Sequence, residues 1–180
     1  MDFIEGIKTR RSIRNYTGDR VTKAQIEEII EITRFAPSWK NSQTPKYIAV
    51  MDYDLMVKIA NEGVLGFEKN SNNIKGASAL IIVAYNTGIC GFNPDGSYTT
   101  SKKDAWEMFD AGIATQTLSL AAHAKGLGTV ILGIFDDEKV AELINLPEGM
   151  KVAALVPIGY PERISEAPKR KEVSELLTII

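Results

Sequence analysis

A long helical segment in the middle of the chain places the strongest constraint on its fold. The segment reads DAWEMFDAGIATQTLSLAAHAKGLG, and Gly126 and Gly128 end it. Apolar and small residues occupy nearly every face of this helix, a pattern that predicts burial on all sides. A chain of 180 residues has little other material with which to surround a helix of that length. We therefore expect a second subunit to cover part of it.

The other segments alternate between strand-like and helix-like patterns. Helices are predicted for FIEGIKTR, for TKAQIEEIIEITRFAPS with a capping box of Thr22 and Gln25, for DLMVKIANEGVL with Asp54 at its cap, and for DDEKVAELINL. Strands are predicted for PKYIAVM (45–51), ASALIIVAYN (77–86), TVILGIF and MKVAALVPIGYP. The second strand lacks alternation, as central strands covered on both faces do. These segments predict a three-layer α/β or α+β sandwich around one sheet.

Composition and charge exclude several classes of protein. The chain is 44% hydrophobic and 24% charged with a net charge of −2, which indicates one globular domain over residues 1–180. That charge gives no overall attraction to nucleic acid or to an anionic membrane. A lone cysteine, Cys90, excludes an internal disulfide, and no apolar run is long enough for a signal peptide or a membrane span. We expect a soluble, cytoplasmic protein.

The side chains that usually carry catalysis are scarce. One histidine and one cysteine cannot build a usual zinc or transition-metal site, so no metal is expected. His123 lies among alanines in the long helix, so a packing or surface role is preferred for it. Cys90 has no activating base nearby and is interpreted as a small residue at a junction of strand and loop. GLGTVILG follows a helix and opens a strand, the reverse of a dinucleotide-binding loop. We therefore expect no catalytic side chain and a reaction that a cofactor performs.

Three arginines surround a serine near the start of the chain, in the stretch TRRSIRNYT. The β-branched and turn residues of RSIRNYT favour an extended path, in which alternate residues share one side. Arg10, Ser12 and Arg14 would then converge, and two guanidinium groups with a hydroxyl form a cradle for phosphate. The other interpretation is a solvated helix end, where cations favour the dipole.

A polar loop, APSWKNSQTPKY, follows the second helix. Ser38, Asn41 and Gln43 lie in it, and amides offer the paired donors and acceptors that suit the edge of a flat heterocycle. A plain polar loop between two prolines explains the same residues.

Four stretches together closely resemble the FMN-dependent nitroreductase family: RRSIR, APSWKNSQTP, GLGTVILGIF and PKRKEVSELL. They occur in the family's order and span nearly the whole chain. The resemblance implies an α+β three-layer sandwich with a central mixed sheet flanked by helices. It also implies an intertwined homodimer with two FMN sites at the interface, in which the tail, residues 166–180, packs on the partner subunit.

The resemblance also implies roles for particular residues. The phosphate and ribityl chain of FMN would be held by Arg10, Ser12 and Arg14, with Arg11 peripheral and Arg170 or Lys171 added from the tail. The partner subunit would contribute Pro37, Ser38 and Asn41, with Gln43 close by. Asn70 or Asn73 would contact the flavin ring.

The segment Ile131, Leu132, Gly133 has a physical interpretation of its own beside the resemblance. A glycine at a strand allows close backbone approach, and the N–H of Gly133 could donate to flavin N5. A plain core strand with a glycine kink is the alternative.

The activity implied is an FMN-dependent NAD(P)H oxidoreductase with ping-pong hydride transfer through flavin N5 to a nitroaromatic, quinone or similar small acceptor. The alternative is a non-catalytic FMN-binding module for storage, sensing or electron relay. A nucleic-acid binder is disfavoured because the basic stretches lack aromatic neighbours. The loop 87–104 is shorter than the helical cover of longer relatives, so Phe92, Tyr98 or Trp106 either line an open site or are ordinary packing. The choice between NADH and NADPH stays open.

Overall fold

The structure is a computed structural model that describes residues 2–180. Its helices are α1 (Phe3–Thr9), α2 (Lys23–Thr33), α3 (Tyr53–Glu62), α4 (Glu68–Lys75), α5 (Ala105–Ala124), α6 (Asp137–Leu143) and α7 (Val173–Leu176). Its strands are β1 (Pro45–Val50), β2 (Ala79–Asn86), β3 (Gly128–Thr129) and β4 (Met150–Gly159).

One four-stranded sheet in the order β1-β2-β4-β3 forms the centre of the fold, and all three strand pairings are antiparallel. The expectation of a mixed sheet is therefore wrong for these strands. The connection from β2 through α5, β3 and α6 returns the chain in the opposite direction, so β4 pairs antiparallel with β2. One parallel bridge, Ser12 with Thr129, ties the arginine segment to the sheet.

Each face of the sheet is covered by helices, which confirms the three-layer α+β arrangement. On one face, Met56, Ile59 and Ile74 from α3 and α4 pack in a cluster with Leu80 and Leu155. On the other face, helices α2 and α5 pack against β2 and β4 in a second cluster. Strand β2 is buried over nearly its whole length, as its unbroken apolar sequence predicts.

Several local predictions are confirmed. Thr22 accepts from Gln25 N–H at the start of α2, and the Gln25 side chain returns to the Thr22 backbone, which forms the expected capping box. The segment after α1 is extended, with bridges at Ser12 and Tyr16. Helix α5 ends close to Gly126, whose φ of 78° lies in the left-handed region.

Other local predictions need correction. Asp52, not Asp54, caps α3, because its carboxylate accepts from Leu55 N–H. A strand is predicted for TVILGIF, but the structure has only the short strand Gly128–Thr129 and one bridge between Leu132 and Leu155. The chain leaves the sheet after Thr129. Helix α4 did not stand out in the sequence, since its residues are mostly polar.

Helix α5 is buried against the sheet on one side only. Leu118, Ala121 and Ala122 are enclosed, whereas Met108 and Phe109 are about half exposed. Apolar side chains of α1 and of the tail are also exposed, among them Phe3 at 72% and Leu176 at 70%. No helix within residues 2–180 combines the length and the apolar character needed to cross a membrane.

Candidate functional site

Arg10, Ser12 and Arg14 converge beside the sheet, as the alternation of the segment predicts, and Arg11 lies next to them. A cleft of about 250 Å³, here called the arginine cleft, is lined by Arg10, Arg11, Ser12 and Arg14 and, from the tail, by Ser165, Glu166, Pro168 and Arg170. The arginine segment is tied to β3 by the bridge from Ser12 to Thr129 and by the hydrogen bond from Ile13 N–H to Thr129 O, 2.9 Å. Arg170 is the tail cation that reaches the cleft, and Lys171 does not line it.

The arginine cleft carries an excess of positive charge, with four arginines and one carboxylate, Glu166, in its lining. No ion pair within residues 2–180 includes Arg10, Arg14 or Arg170. Partial burial, together with the nearby cations Arg11 and Arg170, lowers the pKa of Arg10 from its ordinary value. Such a cluster repels itself until an anion enters it.

Arg11 faces away from the centre of the cleft. Its Nη1 donates to Lys8 O at 2.7 Å and to Arg10 O at 2.9 Å, so it satisfies carbonyl groups at the C-terminal end of α1. The peripheral role expected of Arg11 stays a prediction.

A second and larger cleft adjoins the first. This asparagine cleft, of about 690 Å³, is lined by Arg14, Asn70 and Asn73 and by the segment 130–134. Arg14 lines both clefts, so they adjoin at this residue; the two together are here called the groove, with a cationic end and a wider, less charged end. Sequence reasoning missed Phe67 and Lys69, which also line the wider end.

The segment 131–133 presents its backbone to this groove. Asn70 is buried, and its Nδ2 donates to Ile134 O at 2.9 Å, which holds the segment in place. Gly133 is exposed, nothing lies within 4 Å of where its Cβ would be, and its N–H has no acceptor within residues 2–180. A free N–H facing open space is available to a ligand.

Pro37, Ser38 and Gln43 line a third site, the loop pocket, of about 200 Å³. Lys40, Asn41 and Gln43 have φ values of 46°, 54° and 51°, which is strained backbone for residues other than glycine. Ser38 Oγ accepts from Gln43 N–H at 2.9 Å, which closes the loop on itself. Strain of this kind concentrates at functional sites.

A buried carboxylate that sequence reasoning missed anchors this loop. Asp110, 2% exposed, accepts from Trp39 N–H at 2.7 Å and from Cys90 Sγ at 3.1 Å. Cys90 Sγ also lies 3.2 Å from Ser42 Oγ and 3.3 Å from Thr44 Oγ1. Burial and the Asp110 carboxylate raise the pKa of the Cys90 thiol, so it stays protonated and serves as a structural donor.

The loop pocket and the arginine cleft lie at opposite ends of α5. The loop contacts Asp110 near the start of the helix, whereas His123 near its end lies 3.0 Å from Thr9 Oγ1, beside Arg10 and Arg11. Thirteen residues separate Asp110 from His123, about 20 Å along a helix. The two groups of candidate residues therefore do not meet within one chain.

Comparison with known proteins supplies the context for this geometry. The model of the Nitroreductase family matches residues 7–160. A protein of Archaeoglobus fulgidus, provisionally named NADH dehydrogenase/NAD(P)H nitroreductase, is 31% identical over 165 residues, which are 89% of this chain and 86% of the relative. The FMN reductase (NAD(P)H) of Bacillus subtilis is 28% identical over 176 residues, covering 93% and 70% of the two chains.

The fold agrees with the sequence match. The crystal structure of a nitroreductase family protein from Clostridium novyi NT superposes with a TM-score of 0.78 at 30% identity, over 90% of this chain and 86% of the other. The match to the family model contains the arginine segment, the loop pocket and the segment 130–134, and it stops before the tail residues of the arginine cleft, Ser165, Glu166, Pro168 and Arg170. The chain belongs to the Nitroreductase family.

Proposed function

We propose that the protein is an FMN-dependent NAD(P)H oxidoreductase that reduces a nitroaromatic, quinone or similar small acceptor by a ping-pong reaction. The observation that carries the proposal is the pair of clefts that adjoin at Arg14, with Arg10, Ser12 and Arg14 at the cationic end. Membership of the Nitroreductase family and the name of the FMN reductase relative support it.

The chemistry of the groove fits FMN. The phosphate is a dianion near neutral pH, and two guanidinium groups, the Ser12 hydroxyl and Arg170 offer charge-assisted donors at the narrow end. The wider end has room for a flat ring, with amide groups from Asn70 and Asn73 at its wall. At Gly133 a side chain would fill the space that the ring needs.

The residues of this chain bind and orient rather than donate protons. Bound FMN would supply the redox chemistry by accepting a hydride from NAD(P)H and passing it to the acceptor. The free N–H of Gly133 would hydrogen-bond the ring edge, and Arg14 would link the ring end to the phosphate end. Stacking brings donor and ring to reacting distance, so the site needs no catalytic base.

We further propose that two chains build each site. Because the loop pocket and the arginine cleft lie at opposite ends of α5, a two-fold axis that runs across two antiparallel α5 helices would join the loop of one chain to the groove of the other. Met108, Phe109 and the exposed apolar residues of α1 and the tail would be buried in that dimer. Ser38, Asn41 and Gln43 would then face the flavin ring of the partner.

A visible absorption spectrum of the FMN-loaded protein, recorded without oxygen before and after NADH or NADPH is added, tests the activity. Flavin bands that bleach with the donor and return with a nitroaromatic or quinone support the proposal. Bands that persist with both donors would favour the non-catalytic FMN module. A protein that takes up no FMN would contradict both functions.

A further inference from the structure

The two tryptophans of the chain lie against each other, although 67 positions separate them. Trp39 comes from the strained loop and Trp106 from the first turn of α5, with ring centroids 4.8 Å apart and planes inclined at 43°. Phe109 meets Trp106 edge-on at 5.4 Å and is 58% exposed. The two indoles form a partly exposed aromatic surface, here called the tryptophan cluster, and Phe109 connects it to the face proposed as the dimer interface.

Ammonium groups lie over both indole rings. Lys40 Nζ lies 5.6 Å from the ring centroid of Trp39, and Lys102 Nζ lies 4.9 Å from that of Trp106. Neither lysine belongs to any ion pair that the structure shows in residues 2–180. Cation–π contact holds each ammonium near a ring and leaves its N–H groups free for an anion.

Three acidic residues also lie next to the cluster, two of them below its surface. The carboxylates of Asp110 and Glu107 are buried and already accept from Trp39 N–H and Gly88 N–H, respectively. Asp104 is exposed, and the exposed lysines Lys40, Lys102 and Lys103 outnumber it. The three lysines and three carboxylates balance in number, but at the exposed surface three ammonium groups lie beside one carboxylate, so the cluster offers aromatic faces with cations on their solvent side.

The position of the cluster relates it to the proposed reaction. Trp39 and Lys40 lie between Ser38 and Asn41, the residues proposed to face the flavin of the partner. Asp110 fixes the backbone of Trp39, so the indole is held at the edge of the site and is not a mobile loop side chain. A molecule that stacks on the indole would also lie beside the flavin ring.

We infer that the tryptophan cluster selects acceptors that are flat aromatic molecules with an anionic substituent, such as nitroaromatic or quinonoid carboxylates and sulfonates. The inference rests on the proposed function and names the substrate class of the same site. The ring of the acceptor stacks on indole, and its anionic group pairs with the ammonium of Lys40 or Lys102. Neutral acceptors of the same shape keep the stacking and lose the ion pair.

The cluster supplies its own reporter, since no other tryptophan contributes to the fluorescence. We would titrate the FMN-saturated protein with 4-nitrobenzoate and with 4-nitrobenzamide, which match in shape and differ in charge. The expected result is tryptophan quenching with a Kd about threefold to tenfold lower for the benzoate, a preference that falls as salt is added. Equal Kd values for the two compounds would overturn the inference.

Three lysine variants test whether the preference for the benzoate comes from the tryptophan cluster. Lys40→Gln and Lys102→Gln should each reduce the preference for benzoate by about twofold to fivefold, with little change for the benzamide. Lys23→Gln removes an exposed lysine that pairs with Glu27 on α2 and should leave the preference intact. An equal loss in all three variants would show a general charge effect and would contradict a specific site.

Two further results separate this inference from its alternatives. The ratio of kcat/KM for the two nitro compounds should follow the Kd ratio. If the protein quenches with the benzoate but neither compound is reduced, the binding site stands and the proposed oxidoreductase function fails. If adenosine diphosphate quenches instead, and Lys102→Gln raises KM for the nicotinamide donor alone, the cluster binds the donor and the inference is overturned.

Discussion

Arg14 is the residue that joins the two parts of the groove, because it lines both the arginine cleft and the asparagine cleft. Its guanidinium has no ion-pair partner within residues 2–180, so its charge is available to a ligand. A charge-assisted hydrogen bond contributes about 1.5–3 kcal/mol. A substitution of Arg14 should therefore weaken cofactor binding and leave folding unchanged.

Arg14→Ala should weaken FMN binding by about tenfold to a hundredfold, since it removes one or two charge-assisted hydrogen bonds. The exposed side chain makes one long hydrogen bond of its own, to Ser12 O at 3.4 Å, so thermal stability of the cofactor-free protein should hardly change. Fluorescence titration with FMN measures the affinity. Arg20→Ala, which removes an exposed arginine elsewhere, is the matched control, and full FMN retention in Arg14→Ala would contradict the cradle.

His123 offers a second test at this scale because it is the one histidine of the chain. Burial, followed by the cations Arg10 and Arg11, lowers its pKa below the ordinary value. Its imidazole resonance should titrate below the usual range and move upward when FMN neutralises the arginines. Since the unfolded chain binds that proton more readily, His123 reduces stability as the pH falls below about 6.5. A pKa that FMN leaves unchanged would place the phosphate elsewhere.

At the scale of elements, the carboxylate of Asp110 on α5 hydrogen-bonds the backbone of the loop 37–44, beside the contact of Trp39 with Trp106. Both donors contact the same oxygen, Asp110 Oδ2, so Asp110→Asn keeps an acceptor for them but removes the negative charge that strengthens both hydrogen bonds. We expect a loss of about 1–3 kcal/mol in the free energy of unfolding. FMN affinity should fall as well, because the strained residues Lys40, Asn41 and Gln43 are anchored more weakly.

Thermal denaturation and FMN titration of Asp110→Asn check this prediction, with Cys90→Ala as the comparison. That variant leaves the bond from Trp39 N–H to Asp110 in place, so it should keep most of the FMN affinity. If Asp110→Asn bound FMN normally while losing stability, Asp110 would serve the core and not the loop.

Two glycines near the groove should respond in opposite ways to alanine. A Cβ at Gly128 would meet Ile13 Cγ1 at 2.5 Å, so Gly128→Ala should cost about 1–3 kcal/mol and displace the arginine segment. A Cβ at Gly133 meets nothing within 4 Å, so Gly133→Ala should fold normally and bind FMN weakly. Denaturant unfolding without FMN and titration with it separate the two effects. Normal FMN binding by Gly133→Ala would show that the ring lies elsewhere.

Elements with strong local signals could be predicted from the sequence. The capping residues Thr22 and Gln25 mark the start of α2, and the unbroken apolar run marks β2 as the central strand. Helix α4 had no such signal, because its polar residues are held by tertiary contacts such as the one from Asn70 to Ile134. The strand expected at 129–135 failed because periodicity does not show where a chain leaves the sheet.

In the candidate site, too, local patterns predicted some residues, and contacts between distant residues could not be predicted. Alternation in an extended segment brought Arg10, Ser12 and Arg14 to one side, and the arginine cleft places them together. Asp110 could not be found in this way, since a carboxylate on a helix does not reveal which distant backbone N–H it meets. The aromatic contact between Trp39 and Trp106 also joins residues that are far apart in the sequence.

At the scale of the whole molecule, the exposed face of α5 decides whether the site is complete in one chain. Phe109→Asp places a charge in the proposed interface, so the protein should become monomeric and lose FMN affinity together. Sedimentation equilibrium measures the mass. Leu65→Asp, an exposed apolar residue on the other side of the sheet, is the control and should leave the dimer intact. A dimeric Phe109→Asp protein would exclude this face as the interface.

The most direct test of a site built by two chains is complementation between two defective variants. Mixed dimers of Arg14→Ala and Asn41→Ala chains, purified with two different tags, would be loaded with FMN at a concentration that leaves each parent dimer nearly empty. The account predicts that every mixed dimer contains one intact site, whose flavin bands bleach when NADH or NADPH is added without oxygen. If Arg14 and Asn41 served the same site within one chain, both sites of a mixed dimer would be defective. A mixed dimer as colourless as its parents would contradict the account.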